Sequence, residues 1–325
     1  QVDGGHAAHD QREVAERDNQ TAKDPAGNPV AEIPVSGKSF QIDNNNPTAS
    51  ISYSSVGPYK SGQDIVLNIS YSESMASIRK ISFSGGLVEN KIQIVNVSDN
   101  SSCYQFPAPI GDGSVSVQLH GQDLAGNPIN QNPTSGGTWI LDNTLPNGSV
   151  LIQSENANSN NRRVGLQLSG TDTNGITGFL ISETNLQNPI DFTSVSSASN
   201  FSKNLNHDLT SSGDGTKTIY AWYQDHAGNI GGPFTDTIDL DTTKPILSFA
   251  TDGSPPSSTN ASSIKLNIQL TETSQVSLSG KCGNQTYNNQ SSGELDLGSL
   301  PDGNYDDCVL NALDIAGNPS AGLAI

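Results

Sequence analysis

The sequence predicts an all-β chain organised as a tandem array of sandwich domains, and three observations predict it. The string Asp-x-Ala-Gly-Asn occurs four times, opened by Asp24, Asp123, Asp225 and Asp314. A second string, Asp-x-x-x-Pro, occurs at Asp43–Pro47, Asp142–Pro146 and Asp241–Pro245, at a constant spacing of 99 residues. Self-similarity at a fixed long period marks an array. Hydrophobic residues make up 33% of the chain while 32 Gly and 17 Pro punctuate it, a composition that suits many short strands between turns and not long helices.

Each repeat reads alike. After Asp-x-x-x-Pro comes a short extended segment, Ala49–Tyr53, Ser149–Ile152 or Ile246–Ala250. An alternating strand follows: Ile65–Leu67–Ile69, Val164–Leu166–Leu168 and Ile264–Leu266–Ile268–Leu270. Alternation with period two buries one face and wets the other, as in an antiparallel sandwich. This strand is expected to end at an acid, Glu73, Asp172 or Glu272, which lies 30, 30 or 31 positions after the linker aspartate. The middle of each repeat varies. Near its end an Asp-Gly turn (Asp112-Gly113, Asp214-Gly215, Asp302-Gly303) leads into Val115–Val117–Leu119, Ile219–Ala221–Tyr223 or Cys308–Leu310–Ala312. That strand runs straight into Asp-x-Ala-Gly-Asn, where Asp can hydrogen-bond its own turn and Gly and Asn tolerate positive φ.

About seven short strands per ~100 residues is the cue for an immunoglobulin-like sandwich. A propeller blade would be nearer half that length. The fold class is therefore all-β, a tandem array of immunoglobulin-like β-sandwich domains over residues 44–143, 144–241 and 242–325. Residues 24–43 repeat the register of a domain's end: Phe40 matches Trp139 and Ile42 matches Leu141. They are expected to be the terminal strands of a preceding domain. Residues 1–23 form an irregular, charged lead-in, and both ends fall within a repeat, so the chain is expected to be a slice of a longer array.

The repeats resemble the bacterial Ig-like repeats of large surface proteins and adhesins. In the first, Gly57-Pro58-Tyr59-Lys60-Ser61-Gly62-Gln63-Asp64 followed by Tyr71-Ser72-Glu73 carries the likeness. In the second it is Ile181-Ser182-Glu183-Thr184 with Gly215-Thr216-Lys217-Thr218-Ile219-Tyr220-Ala221-Trp222. In the third, Asp302-Gly303-Asn304-Tyr305-Asp306-Asp307-Cys308 before Asp314-Ile315-Ala316-Gly317-Asn318 is similar to a disulfide-containing variant. The resemblance spans residues 24–325 and implies an extracellular, cell-surface location and no catalytic residues. Such repeats serve as spacers, stalks, filament segments and binding tips, so the fold alone does not choose among these roles.

Cys282 and Cys308 lie 26 apart in one repeat, whereas Cys103 has no partner within its own. A Cys282–Cys308 bridge is expected, against two reduced thiols. It would contribute roughly 3 kcal/mol by closing that loop and would fit an oxidising compartment.

In a sandwich of this kind the B–C and F–G loops sit at the end that receives the preceding linker and the E–F turn at the opposite end, so the acids of this chain are expected to gather at the junctions between domains. The first junction would collect Asp43, Glu73 and Asp123. The second would collect Asp112, Asp142, Asp172 and Asp225, and the third Asp214, Asp241, Glu272 and Asp314. Carboxylates converging from several loops suit Ca²⁺, which takes six to eight oxygens in a flexible shell. Turn capping is the competing explanation, and the motif specifies the turn more strongly than the metal.

Net charge is −18, which disfavours nucleic acid and anionic membrane surfaces as partners. No apolar run is long enough for a helical membrane span. The histidines His6, His9, His120, His207 and His226 form no repeated His–Asp partnership with a serine, so no catalytic triad is indicated. The pairs Gly85-Gly86, Gly136-Gly137 and Gly231-Gly232 lack the Lys-Ser/Thr of a phosphate loop. Trp139 and Trp222 are read as core or sheet-face residues rather than sugar platforms. The expected function is that of a non-catalytic spacer, stalk or filament segment whose partners are neighbouring Ig-like domains or further copies of itself. A rod of about 120 Å is expected, from roughly 40 Å per domain. One alternative is an adhesin module binding a glycan or a cell-surface protein through Asn185–Asn206 or Gly283–Gly298. The other is a filament in which residues 24–43 complete a neighbour's sandwich by strand addition.

Overall fold

The computed structural model describes residues 25–26, 41–76, 79–86, 91–93, 95–98, 100–153, 157–261 and 263–325. The chain divides into two units, residues 1–45 and 46–325. Of the first unit, the described residues show a turn at Pro25-Ala26 and an Asp43 carboxylate that accepts the Asn45 N–H at 3.0 Å. The lead-in 1–23 and most of the strands expected over 24–43 lie outside the described residues.

The second unit is all-β, and among its described residues there is no α-helix. Its strands fall into three immunoglobulin-like sandwiches. The first holds β1 (Ala49–Tyr53), β2 (Asp64–Tyr71), β3 (Lys80–Ser84), β4 (Lys91–Gln93), β5 (Val95–Ser98), β6 (Ser101–Pro107), β7 (Gly113–His120) and β8 (Thr138–Leu141). One sheet runs β1-β2-β6-β5 and the other β4-β3-β7-β8, antiparallel throughout. Alternate residues Ile65, Leu67 and Ile69 of β2 and Val115, Val117 and Leu119 of β7 are buried in one core. Trp139 closes that core, its ring set against Tyr59, Phe83 and Phe106 with centroids 6.0–6.1 Å apart. This is the packing role expected of it, since edge-to-face aromatic contacts stabilise beyond the area they bury.

The second sandwich comprises β9 (Asn147–Ile152), β10 (Asn158–Ser159), β11 (Arg163–Ser182), β12 (Thr193–Asp208), β13 (Gly215–Asp225) and β14 (Ile230–Leu240). Here the structure differs from the expectation that the second strand stops at Asp172. β11 is 20 residues long. Its first part pairs β9 and its last part pairs β13, with register shifts around Ile176. The Asp172 carboxylate makes the transition by accepting the N–H groups of Asn174 (2.7 Å) and Gly175 (3.1 Å). Gly175 supplies the positive φ, +94°, that a bulge needs. An acid that alternation alone reads as a strand end is thus the pivot by which one strand serves both layers.

Beyond β11, Glu183 binds the loop that enters β13. It accepts the Thr210 N–H at 2.7 Å, the Thr210 hydroxyl at 2.9 Å and the Ser211 N–H at 3.0 Å, with His207 Nε2 at 3.2 Å. Burial raises the Glu183 pKa, but these donors outweigh it and bring it from the usual 4.5 down to about 2. A carboxylate held below its unfolded value stabilises the fold above pH 4.5 and loses that contribution as pH falls through its folded pKa. After allowance for partial exposure the contribution is on the order of 2 kcal/mol. Acid melting curves test this: between pH 4.5 and about 2 the second sandwich should lose more stability in the parent than in Glu183→Gln. Matching pH profiles would refute it.

The third sandwich contains β15 (Leu247–Phe249), β16 (Lys265–Leu270), β17 (Ser274–Ser279), β18 (Gln285–Gln290), β19 (Gly293–Asp296), β20 (Val309–Leu313) and β21 (Leu323–Ala324). Its sheets are β15-β16-β19 and β18-β17-β20-β21. Cys282 and Cys308 are disulfide-bonded with Cα atoms 5.6 Å apart, buried beside Leu278 and Leu310 in the core. Cys103 is a free, half-buried thiol on β6.

Candidate cation sites at the domain junctions

The Asp-x-Ala-Gly-Asn string folds identically at its three described copies that lie within residues 46–325. In the second sandwich, the Asp225 N–H donates to the Asn229 carbonyl at 3.1 Å and the Gly228 N–H to the Asp225 carbonyl at 3.3 Å. Asp225 Oδ1 accepts the Asn229 N–H and Oδ2 accepts the Asn229 side-chain amide, both at 2.8 Å. Asp123 with Asn127 and Asp314 with Asn318 repeat this double clamp at 2.7–2.9 Å. The glycines Gly126, Gly228 and Gly317 take φ of +96°, +85° and +93°. Each motif asparagine keeps a negative φ, so it is present as a donor to Asp and not as a positive-φ residue.

The asparagine also reaches across the junction. Its side-chain amide donates to the linker aspartate's carbonyl, Asn229 to Asp142 at 2.9 Å and Asn318 to Asp241 at 2.7 Å. The preceding sandwich answers from its own loops. Lys60 donates to the Gly228 carbonyl at 2.6 Å, Gln63 to the Ala227 carbonyl at 3.2 Å, and Asn160 to the Gly317 carbonyl at 2.9 Å. Sequence pattern identified none of these donors. Lys60 and Gly228 lie 168 residues apart, and donation to a carbonyl requires no particular side chain. The invariant fifth position of the motif was the one available signal, for Asn229 and Asn318.

The acids then separate into two roles. Asp142, Asp172 and Asp225 converge, with one carboxylate oxygen from each within 4.8 Å of the others, and all three are buried. Asp241, Glu272 and Asp314 converge to the same limit, with only Asp314 buried. Of the first expected group, Asp43 belongs to the separate unit 1–45, while Asp123 is buried in its turn and Glu73 is half-buried. Asp112 and Asp214 stand apart and bind linker backbone. Asp112 accepts the Asn143 N–H at 2.8 Å and the Thr144 hydroxyl at 2.9 Å. Asp214 accepts the Thr242 N–H and the hydroxyls of Thr242 and Thr243, each at 2.9 Å. These donors, the linker N–H groups foremost, hold both carboxyls below the usual range. The reason lies in placement: each precedes β7 or β13 at the far end of its sandwich, where linker N–H groups are the nearest donors.

The second junction is electrostatically unbalanced without a counter-ion. Burial raises the Asp142 carboxyl, and the charges of Asp225 and Asp172 raise it further, against the side-chain amide of Asn174 and the Thr144 N–H. Asp225 is raised by burial first, then by Asp172, although Asn229 opposes both. Asp142 is 1% exposed, and its Oδ2 is buried with no hydrogen-bond partner. A buried acceptor left unmatched is costly. A hard divalent cation would satisfy it while offsetting two of the three carboxylate charges, so the residues present fit Ca²⁺.

No protein-family model matches the chain, and no curated protein matches it. Among solved structures it is similar to the tetra-tandem repeat in the extending region of a large adhesion protein, with 18% identity and a TM-score of 0.28 over 86% of this chain and 74% of that one. It is also similar to chicken CNTN1 FN1–FN3 domains, with 12% identity and a TM-score of 0.27 over 86% of this chain and 98% of that one. The human OSCAR ligand-binding domain aligns at 12% identity and a TM-score of 0.30, over 60% of this chain and 98% of that one. At these identities and TM-scores none of them transfers a function.

Proposed function

We propose that the chain is a non-catalytic structural segment of an extracellular surface protein, a spacer in which Ca²⁺ at the junctions fixes one sandwich to the next. The observation that carries this reading is the buried, unpartnered Oδ2 of Asp142 within the Asp142–Asp172–Asp225 trio. Around it, Asn229, Lys60 and Gln63 already align the two sandwiches, so an ion entering there would complete a joint and not create one. The Cys282–Cys308 disulfide suits an oxidising compartment. A net charge of −18 suits a surface that meets salt and divalent cations.

Calorimetry of the full chain in chelator and in millimolar Ca²⁺ tests the proposal, alongside solution scattering. At a hundredfold excess over its Kd, an ion that binds only the folded state adds about 2.7 kcal/mol, so the transitions should move up in calcium. Asp142→Asn should lose much of that gain without a lower melting temperature in chelator, because it also removes a buried repulsion. Scattering should give a maximum dimension near 120 Å for three lengths of roughly 40 Å. A melting profile indifferent to calcium would overturn the cation; a much smaller dimension would overturn the spacer.

A further inference from the structure

The second and third junctions use the same kinds of residue, and three carboxylates each, but they are built differently. At the second, Asp142, Asp172 and Asp225 are all buried. Asp172 sits within the continuous strand β11, its Oδ1 fixed by the N–H groups of Asn174 and Gly175. Asp225 is clamped by Asn229. Asp142 carries a buried oxygen, Oδ2, with no hydrogen-bond partner. The linker packs tightly there: a Cβ at Gly231 would stand 1.8 Å from the Pro146 carbonyl oxygen. Ser61 N–H holds the Asn143 side chain at 2.7 Å, beside the Lys60 and Gln63 latches.

At the third junction Asp314 is clamped in the same way by Asn318. Glu272, however, lies past the end of β16 on a side chain one methylene longer, and Asp241 and Glu272 are only half-buried. Burial and the charges of Asp241 and Asp314 raise the Glu272 carboxyl. Every buried carboxylate oxygen of that group has a partner, among the described residues. Asn160 and Asn318 supply the latch.

With equal charge, the affinity of a Ca²⁺ site follows its rigidity. We propose that the two junctions are graded: the Asp142–Asp172–Asp225 site takes Ca²⁺ at a lower concentration than Asp241–Glu272–Asp314. Over the intervening range the first and second sandwiches are locked, while the joint between the second and third still bends. The chain would thus carry a calcium-set hinge at Asp241. This rests on the cation reading of the junctions and adds the order in which they fill.

The test is calorimetric titration of the full chain with CaCl₂, with Asp123→Asn in the parent as well as in every variant, so that the Asp123 carboxylate adds no phase of its own. Asp172→Asn keeps an oxygen for the Asn174 and Gly175 N–H groups, and Asp142→Asn provides a second lesion at the same site. Glu272→Gln addresses the third junction. Two binding phases are expected in the parent, about ten-fold or more apart in half-saturation. The tighter phase should vanish in Asp172→Asn and in Asp142→Asn and persist in Glu272→Gln. Two phases within two-fold of each other, or a tight phase lost in Glu272→Gln, would overturn the grading and leave the cation reading intact. No calcium binding in the parent would overturn both.

Discussion

Opening the Cys282–Cys308 bridge is expected to destabilise the third sandwich by about 3.5 kcal/mol, the loop-closure value for the 26-residue separation. This sandwich is the one least able to absorb such a loss. Its smaller sheet, β15-β16-β19, is built from strands of three, six and four residues. The bridge joins the turn after β17 to the residue preceding β20, so it fastens the middle strands of the larger sheet where Leu278 and Leu310 are buried. For a domain of this size the expected fall in melting temperature is roughly 20 °C. Calorimetry with and without reductant, repeated on a Cys282→Ala, Cys308→Ala double variant, should show one transition dropping while the others stay. A profile unchanged by reductant would mean that strand packing alone holds the third sandwich.

Much of the fold was legible because strand patterns are local. Alternation identified Ile65–Leu67–Ile69 and Val115–Val117–Leu119 as buried rows, and all six are in the core. The Asp-x-Ala-Gly-Asn turn was legible for the same reason, since its hydrogen bonds close within five residues. The carboxylate trios were partly legible: the separation of linker aspartate and strand acid, 30 and 31 positions, brought Asp142 to Asp172 and Asp241 to Glu272. The diversion of Asp112 and Asp214 to the linker was not, because backbone N–H groups leave no mark in a sequence. Nor did alternation show that β11 passes through Asp172, since a bulge changes register without changing residue type. The glycine pairs show the same limit. Gly231 looks like loop sequence, yet its missing side chain is what lets Pro146 approach.

Gly148→Ala is expected to destabilise the second sandwich by about 3 kcal/mol, although alanine is the mildest of replacements. Gly148 on β9 stands directly opposite Gly170 on β11, and the pair makes a slot in which the Tyr223 ring lies. A Cβ on Gly148 would fall 2.3 Å from the ring and 2.5 Å from the Ser169 carbonyl oxygen, so backbone as well as side chain must move. A Cβ on Gly170 would meet the ring at 3.0 Å, and Gly170→Ala should cost nearer 1 kcal/mol. Gly165, five residues earlier on the same strand, has nothing within 4 Å of a Cβ. Gly165→Ala should therefore be neutral or slightly stabilising, and it controls for strand propensity. The order Gly148, Gly170, Gly165 in thermal melting is the expected result; equal effects at all three would show that the slot is unimportant. The consequence reaches the junction. Tyr223 is fully buried, donates its hydroxyl to the Ser149 carbonyl at 2.5 Å and lies two residues before Asp225. A ring forced out of its slot displaces the start of the motif turn and pulls one carboxylate from the second trio. Gly148→Ala should therefore weaken the calcium response of that junction as well as its melting temperature, while Gly165→Ala leaves both in place.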